Sequence, residues 1–339
     1  IYTGEDTLSL HDALPIFDAA ILLEPEESNY LMQRANLYYE TGNYDLSDDD
    51  YERVAQLDKD NFNPYMGLGR NAMAREDYDR AVTFFDRVVQ LAPEFNYGYS
   101  YRAEAHLLRR DYPHAVEDCT SALSLLWDDV DVRAYQVFRT LCDSAATTLR
   151  ARLKVLHNKE PQKQKWLYYL YTLEDHLGNY GRAANYYFKE YQLSPTAQSA
   201  LNLADKLASL NLHDAALMWQ ARAENHDSKN IDAPLLAAVL HMKKGNFNEA
   251  NAALERAIAL DAENPDIYKN YGQLNSEREN PESALEAYDM ALSLSADDTK
   301  IFNQRGRLLL KMGQKERAAK DFQRILDLEQ TYVDRKSVV

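Results

Sequence analysis

Apolar residues return at intervals of three and four along nearly the whole chain, in short runs separated by polar breaks. The run Phe62–Phe95 shows the pattern best. Its first half carries Tyr65, Leu68, Gly69 and Ala72 at helical spacing, and Arg75-Glu76-Asp77 interrupts it. Its second half carries Tyr78, Ala81, Phe84, Phe85, Val88 and Leu91, and Pro93 closes it. The run therefore predicts two short amphipathic helices folded back on each other. Antiparallel helices approach closely only where their facing residues are small, so Gly69 and Ala81, twelve apart, are the expected meeting point. One such pair cannot bury both of its faces and needs a copy of itself on each side.

Copies follow at the same period. Residues 28–61 carry Ala35 and Tyr38, the turn Gly42-Asn43-Tyr44, then Tyr51 and Leu57, with Ser47 standing where a second small residue belongs. Residues 96–129 carry Tyr99, Arg102, Ala103, a turn at Asp111-Tyr112, Ala115 and Ala122. Later units place Gly178-Asn179-Tyr180 and Gly245-Asn246-Phe247 at the turn, with Ala204, Ala238, Gly272 and Gly306 at the small first-helix position. Pro281 takes the aromatic turn position and suits the start of a helix. Residues 130–163 fit least well. Val137 and Leu149 occupy the small positions, no Gly marks the turn, and Asp143 or Ser144 is the expected N-cap of a second helix running to about His157.

This thirty-four-residue pattern resembles the tetratricopeptide repeat, and the resemblance spans about residues 17–332 in nine near-complete units. It implies an all-α helical-hairpin solenoid, a right-handed superhelix whose first helices line a concave groove. The expected organisation is a partial repeat plus three repeats over 17–129, a degenerate hairpin over 130–163 and five repeats over 164–332. The degenerate unit is either a hinge or ordinary repeat drift. The resemblance also implies a non-catalytic protein–protein interaction scaffold, expected to be bacterial, that holds a peptide or partner domain in its groove. In the repeat register the groove candidates are Asn36, Tyr39, Met66, Arg70, Met73, Tyr97, Glu104 and Leu107 early in the chain, and Lys300, Asn303, Arg307 and Lys311 late. Met and Tyr suit adaptable peptide contacts. Some members of the family grip a terminal carboxylate with a Lys/Asn/Asn/Lys/Arg clamp. Here Met32, Asn36, Gly67, Tyr97 and Tyr101 stand at those positions and only Asn36 agrees, so that activity is not carried over.

Both ends read differently from the rest. Residues 7–16, TLSLHDALPI, match one translated frame of a common short-read sequencing adapter, and 334–339, DRKSVV, match its reverse complement up to a stop codon. Residues 1–16 and 334–339 are therefore expected to be non-native, and the natural protein to extend further on both sides. Two other readings stay open on that account. The chain is the interaction segment of a larger enzyme or signalling protein, or a structural subunit that stacks with copies of itself. The full-length gene separates them.

Composition changes the picture little. A formal charge of −16 with no basic face argues against nucleic acid as a partner. No stretch is long and apolar enough to span a membrane. Cytoplasm and periplasm both remain open as locations. Tyrosine is abundant, 24 residues against 10 Phe, which supplies amphipathic rings for helix seams. No cofactor is expected. Gly67-Leu68-Gly69 sits inside a helical run and reads as packing rather than a phosphate loop. The histidines show no HxxxH spacing and the two cysteines no CxxC, so no metal site is expected. His106 and His241 occupy equivalent first-helix positions and read as packed imidazoles. Asp48-Asp49-Asp50 and Asp128-Asp129 read as carboxylates on helix surfaces or turns.

Overall fold

The computed structural model describes residues 10–126 and 131–337, with the side chains of 13–126 and 131–330. All regular structure among the described residues is α-helical. The chain divides into two compact units between residues 161 and 162. The first holds α1 (Leu10–Leu23), α2 (Ser28–Glu40), α3 (Tyr44–Leu57), α4 (Asn63–Ala74), α5 (Tyr78–Leu91), α6 (Asn96–Leu108), α7 (Tyr112–Leu125), α8 (Val132–Ser144) and α9 (Ala146–Lys159). The second holds α10 (Gln164–His176), α11 (Tyr180–Leu193), α12 (Ala197–Ser209), α13 (His213–His226), α14 (Asp232–Lys243), α15 (Phe247–Leu260), α16 (Pro265–Glu277), α17 (Pro281–Leu294), α18 (Thr299–Lys311) and α19 (Lys315–Ser337). Even-numbered helices are first helices and pack on the odd-numbered helix that follows. First helices also touch the next first helix, as α2 does α4, α6 does α8 and α16 does α18. That is the helical-hairpin array the spacing predicts.

The small residues act as expected. A Cβ added at Gly69 would lie 2.3 Å from the Phe85 ring, and one at Gly272 would lie 2.4 Å from the Tyr288 ring. The glycine therefore also seats an aromatic sixteen residues on. The twelve-residue contact exists beside it. Ser47, in the place of that Ala, donates from its hydroxyl to the Ala35 carbonyl at 2.8 Å. Gly67 is likewise covered by a ring, that of Tyr51, which agrees with packing. Every hairpin turn among the described residues uses one left-handed residue except that between α8 and α9, where Ala145 has φ −142°. Gly42, Gly178, Gly245 and Gly313 have φ of 69–76°, and Glu76, Arg110, Asn211 and Glu279 have φ of 59–61°. The non-glycine residues there carry about 1–2 kcal/mol of strain. Backbone bonds such as Asp77 N–H to the Ala72 carbonyl, 2.9 Å, close the helix end around the turn.

Residues 130–163 depart from the expected boundaries. Asp143 and Ser144 lie inside α8, and Ala145 alone separates it from α9, without a side-chain cap. Val137 and Leu149 are both buried. Their bulk blocks the close approach that small residues allow, and α9 also packs on α7. The hairpin belongs with the first unit.

The acidic run Asp48-Asp49-Asp50 is also corrected. Asp48 and Asp50 are buried, not surface carboxylates, because arginines reach them. The Arg34 guanidinium donates to Asp50 Oδ1 and Oδ2 at 2.7 and 2.8 Å. Arg75 donates to Asp48 at 2.8 Å. Asp128 and Asp129 lie outside the described residues.

Arg34 begins a recurring clamp. It pairs with Asp50, sixteen residues on, and with Asp18, sixteen back on the preceding second helix. Arg102 does the same with Asp118 and Asp86, and Arg305 with Asp321 and Asp289. In four other repeats the position holds a buried apolar residue, Leu68, Leu170, Leu203 or Ala237, while Tyr271 is half-buried and Gln136 exposed. A second, more exposed series spans thirty residues: Arg75–Asp45, Arg109–Asp79, Lys244–Asp214 and, as a neutral version, Arg278–Asn248.

Helix α1 starts at Leu10, so seven residues of the segment expected to be non-native continue a native helix, with Pro15 inside it. At the other end α19 runs to Ser337. Residues 1–9 and 338–339 lie outside the described residues. Beyond residue 16, Ile21 packs with Leu31 and Val54, and Asp18 pairs with Arg34. Deleting residues 1–16 is therefore expected to leave the melting temperature nearly unchanged. A thermal scan showing a loss equivalent to about 2 kcal/mol or more would contradict this.

Candidate functional site

The groove candidates of the first unit are largely engaged with one another. Asn36 on α2 accepts a hydrogen bond from the Tyr51 hydroxyl at 2.7 Å, which ties it to its own hairpin. Arg70 on α4 lies over the Tyr39 ring at 4.2 Å and approaches Glu40 at 3.9 Å. Met66 and Met73 are half-buried against the core of Ala72, Ala81, Phe85 and Val88. They therefore serve packing first. Tyr97 stays 46% exposed, the most open large apolar side chain of this group. Its ring stands 5.6 Å from that of Phe95.

Glu104 and Leu107 on α6 face α8. Together with Tyr112, Arg133 and Val137 they line a cavity of about 490 Å³. Arg133 pairs with Glu104 and lies 3.8 Å over the Tyr101 ring. This cavity combines one ion pair with apolar walls, which suits a segment carrying an apolar side chain.

The second unit differs in electrostatics. Lys300, Asn303, Arg307 and Lys311 all lie on α18 and are exposed. Arg307 and Lys311 line a cavity of about 320 Å³ between α16 and α18, with Gln273, Glu277, Gln304 and Tyr288. Lys300 and Asn303 fall outside that cavity. Neither Arg307 nor Lys311 makes an ion pair among the described residues, whereas Arg305, two residues away, binds two carboxylates. Glu277 in the same cavity accepts instead from Gln273 at 2.9 Å. The buried Gln304 Oε1 has no hydrogen-bond partner. Such an oxygen is costly to leave unpaired.

One cluster was invisible in the sequence. His106, Asp111 and His114 bring ligand atoms within 4.8 Å of one another. Their spacing of five and three residues crosses a turn, so no helical motif reports it. The Arg–Asp clamps were also missed, although Asp at sixteen residues on each side of an Arg is a signal a search could find. The two cysteines are buried, and burial pushes the Cys142 thiol up to about 12 and the Cys119 thiol up as well, which leaves both unreactive.

Models of the tetratricopeptide repeat match residues 28–61, 66–130, 235–299 and 299–332, more than half of the chain. Among solved structures, a crystal structure of MamA is 21% identical, with a TM-score of 0.39 over 48% of this chain and 95% of that one. MamA from Desulfovibrio magneticus RS-1 is 17% identical, with a TM-score of 0.40 over 50% of this chain and 96% of that one. The APC/C hetero-tetramer Cut9-Hcn1 is 15% identical, with a TM-score of 0.46 over 94% of this chain and 72% of that one. No described helix is long and apolar enough to cross a membrane.

Proposed function

Because the chain belongs to the tetratricopeptide-repeat family, whose repeats serve as protein-interaction scaffolds, we propose that its second unit holds an acidic segment of a partner protein along α16 and α18. The observation that carries this reading is the pair Arg307 and Lys311. In an acidic chain whose half-buried Arg34, Arg75, Arg102 and Arg305 are matched to aspartates, these two neighbouring cations on one helix face make no ion pair among the described residues, and Glu277 beside them is bonded to Gln273. They flank a cavity that the Gln304 side chain also lines. An acidic side chain of the partner would supply the missing charge. In the first unit the cavity of Glu104, Leu107 and Val137 is a second place for an apolar anchor.

The role proposed is binding without chemistry. Peptide display against the full chain is expected to enrich acidic sequences. Arg307→Glu combined with Lys311→Glu is expected to weaken the selected peptides by about tenfold or more in titration calorimetry, with helicity unchanged. If the double variant binds the same peptides within about twofold, the assignment to this groove fails.

A further inference from the structure

The face formed by second helices carries a different arrangement. α6 ends at Leu108, and the left-handed Arg110 turns the chain so that the Asp111 N–H donates to the His106 carbonyl at 2.8 Å. The turn lays the Asp111 carboxylate beside the His106 ring. Its Oδ2 stands 3.4 Å from His106 Nδ1. One turn into α7, His114 places Nδ1 2.8 Å from the same oxygen. The two imidazoles stack with centroids 5.1 Å apart.

His106 is only 8% exposed, and its Nδ1 is buried without a hydrogen-bond partner, aimed at Asp111. A buried polar nitrogen left this way calls for a ligand or for a reason. His114 is 66% exposed and opens the cluster to a cavity of about 390 Å³. The charge of Arg102 in that cavity is met by Asp86 and Asp118, so the local balance favours a cation.

Two imidazole nitrogens and one carboxylate oxygen are a donor set for a borderline divalent metal, with Zn²⁺ bonds of about 2.0–2.2 Å and a tetrahedral edge of about 3.3 Å. The 3.4 Å separation of His106 Nδ1 from Asp111 Oδ2 matches that edge. We infer that His106, Asp111 and His114 bind a zinc ion on the second-helix face of the third repeat, with the fourth position open to the cavity. His114 ligates as the tautomer protonated on Nε2, giving up its hydrogen bond to Asp111. An equivalent histidine, His241, lacks the set. Asn246 follows it where Asp111 follows His106, and its N–H makes the same 2.9 Å turn contact, but no second imidazole is present.

The test is zinc titration of the chelator-treated full chain by calorimetry. One equivalent is expected to bind. His114→Ala and Asp111→Asn, both at accessible positions, are each expected to lower the affinity by about tenfold or more. His226→Ala, at an imidazole already bonded to Tyr191, is expected to change nothing. Magnesium, which prefers oxygen donors, is expected to give no binding here. The inference is overturned if zinc does not bind, if His114→Ala retains the parent affinity, or if magnesium binds as tightly as zinc.

Discussion

Arg102→Met is expected to destabilise the third hairpin by about 3–5 kcal/mol, because it strands a buried carboxylate. Arg102 donates to Asp118 through two nitrogens, at 2.6 and 2.7 Å, and to Asp86 at 2.7 Å. The Asp118 side chain is 5% exposed and that of Asp86 is 59% exposed. The cost therefore comes mainly from Asp118. Losing the exposed Asp86 contact alone is worth about 0–1 kcal/mol. Changing Asp118 to Leu in the same variant removes the stranded charge and is expected to recover most of the loss, since apolar residues fill this position in other repeats. Hydrogen exchange over α6 and α7, read alongside urea unfolding, checks both. A single variant that loses less than about 1 kcal/mol would show that the clamp contributes little.

The second large effect is expected where a glycine seats a ring. Gly69→Ala places a methyl 2.3 Å from the fully buried Phe85 ring, so the ring or the helices must shift. The expected cost is about 1–3 kcal/mol. Phe85→Ala, which empties the seat instead, is expected to cost about 3–5 kcal/mol. The informative variant combines Gly69→Ala with Phe85→Leu. The smaller side chain makes space for the new methyl, so the pair is expected to cost less than the sum of the single changes. Strict additivity in that cycle would mean that Gly69 and Phe85 do not share a contact that matters.

The hairpins were legible because periodicity reports burial along a helix, and a small residue every repeat reports close packing. Ala35, Gly69, Ala103, Ala204, Ala238, Gly272 and Gly306 mark that packing directly. What they do not report is which ring each glycine seats, Phe85 at Gly69 and Tyr51 at Gly67. Asp48 and Asp50 looked like surface acids because their partners, Arg75 and Arg34, lie on other helices. The boundary between α8 and α9 was misplaced because polar Asp143 and Ser144 resemble a cap, while the chain turns at the featureless Ala145. At the groove, the register placed Arg307 and Lys311 on one face. It could not tell that Met66 and Met73 would turn toward the core, or that Arg70 would settle over Tyr39. The histidine cluster depends on a single left-handed residue, Arg110, which carries no sequence mark of its own.

The two series of Arg–Asp contacts also decide how such an array parts under load. A repeat array peels one hairpin at a time, because each hairpin touches only its neighbours. The apolar seams slide and reform, but an ionic contact spanning two hairpins acts as a latch that must open in one step. Between α5 and α6 the first unit carries two of them, Arg102–Asp86 in mid-helix and Arg109–Asp79 near the turn. A hinge cannot form at a joint latched at two points along its length, since rotation that relaxes one latch strains the other. Latches also bridge the joints on either side, Arg75–Asp45 and Arg80–Glu52 between the first and second hairpins and Arg133–Glu104 and Arg152–Glu117 between the third and fourth, so the hairpins of that unit are expected to part together rather than to fold about one joint.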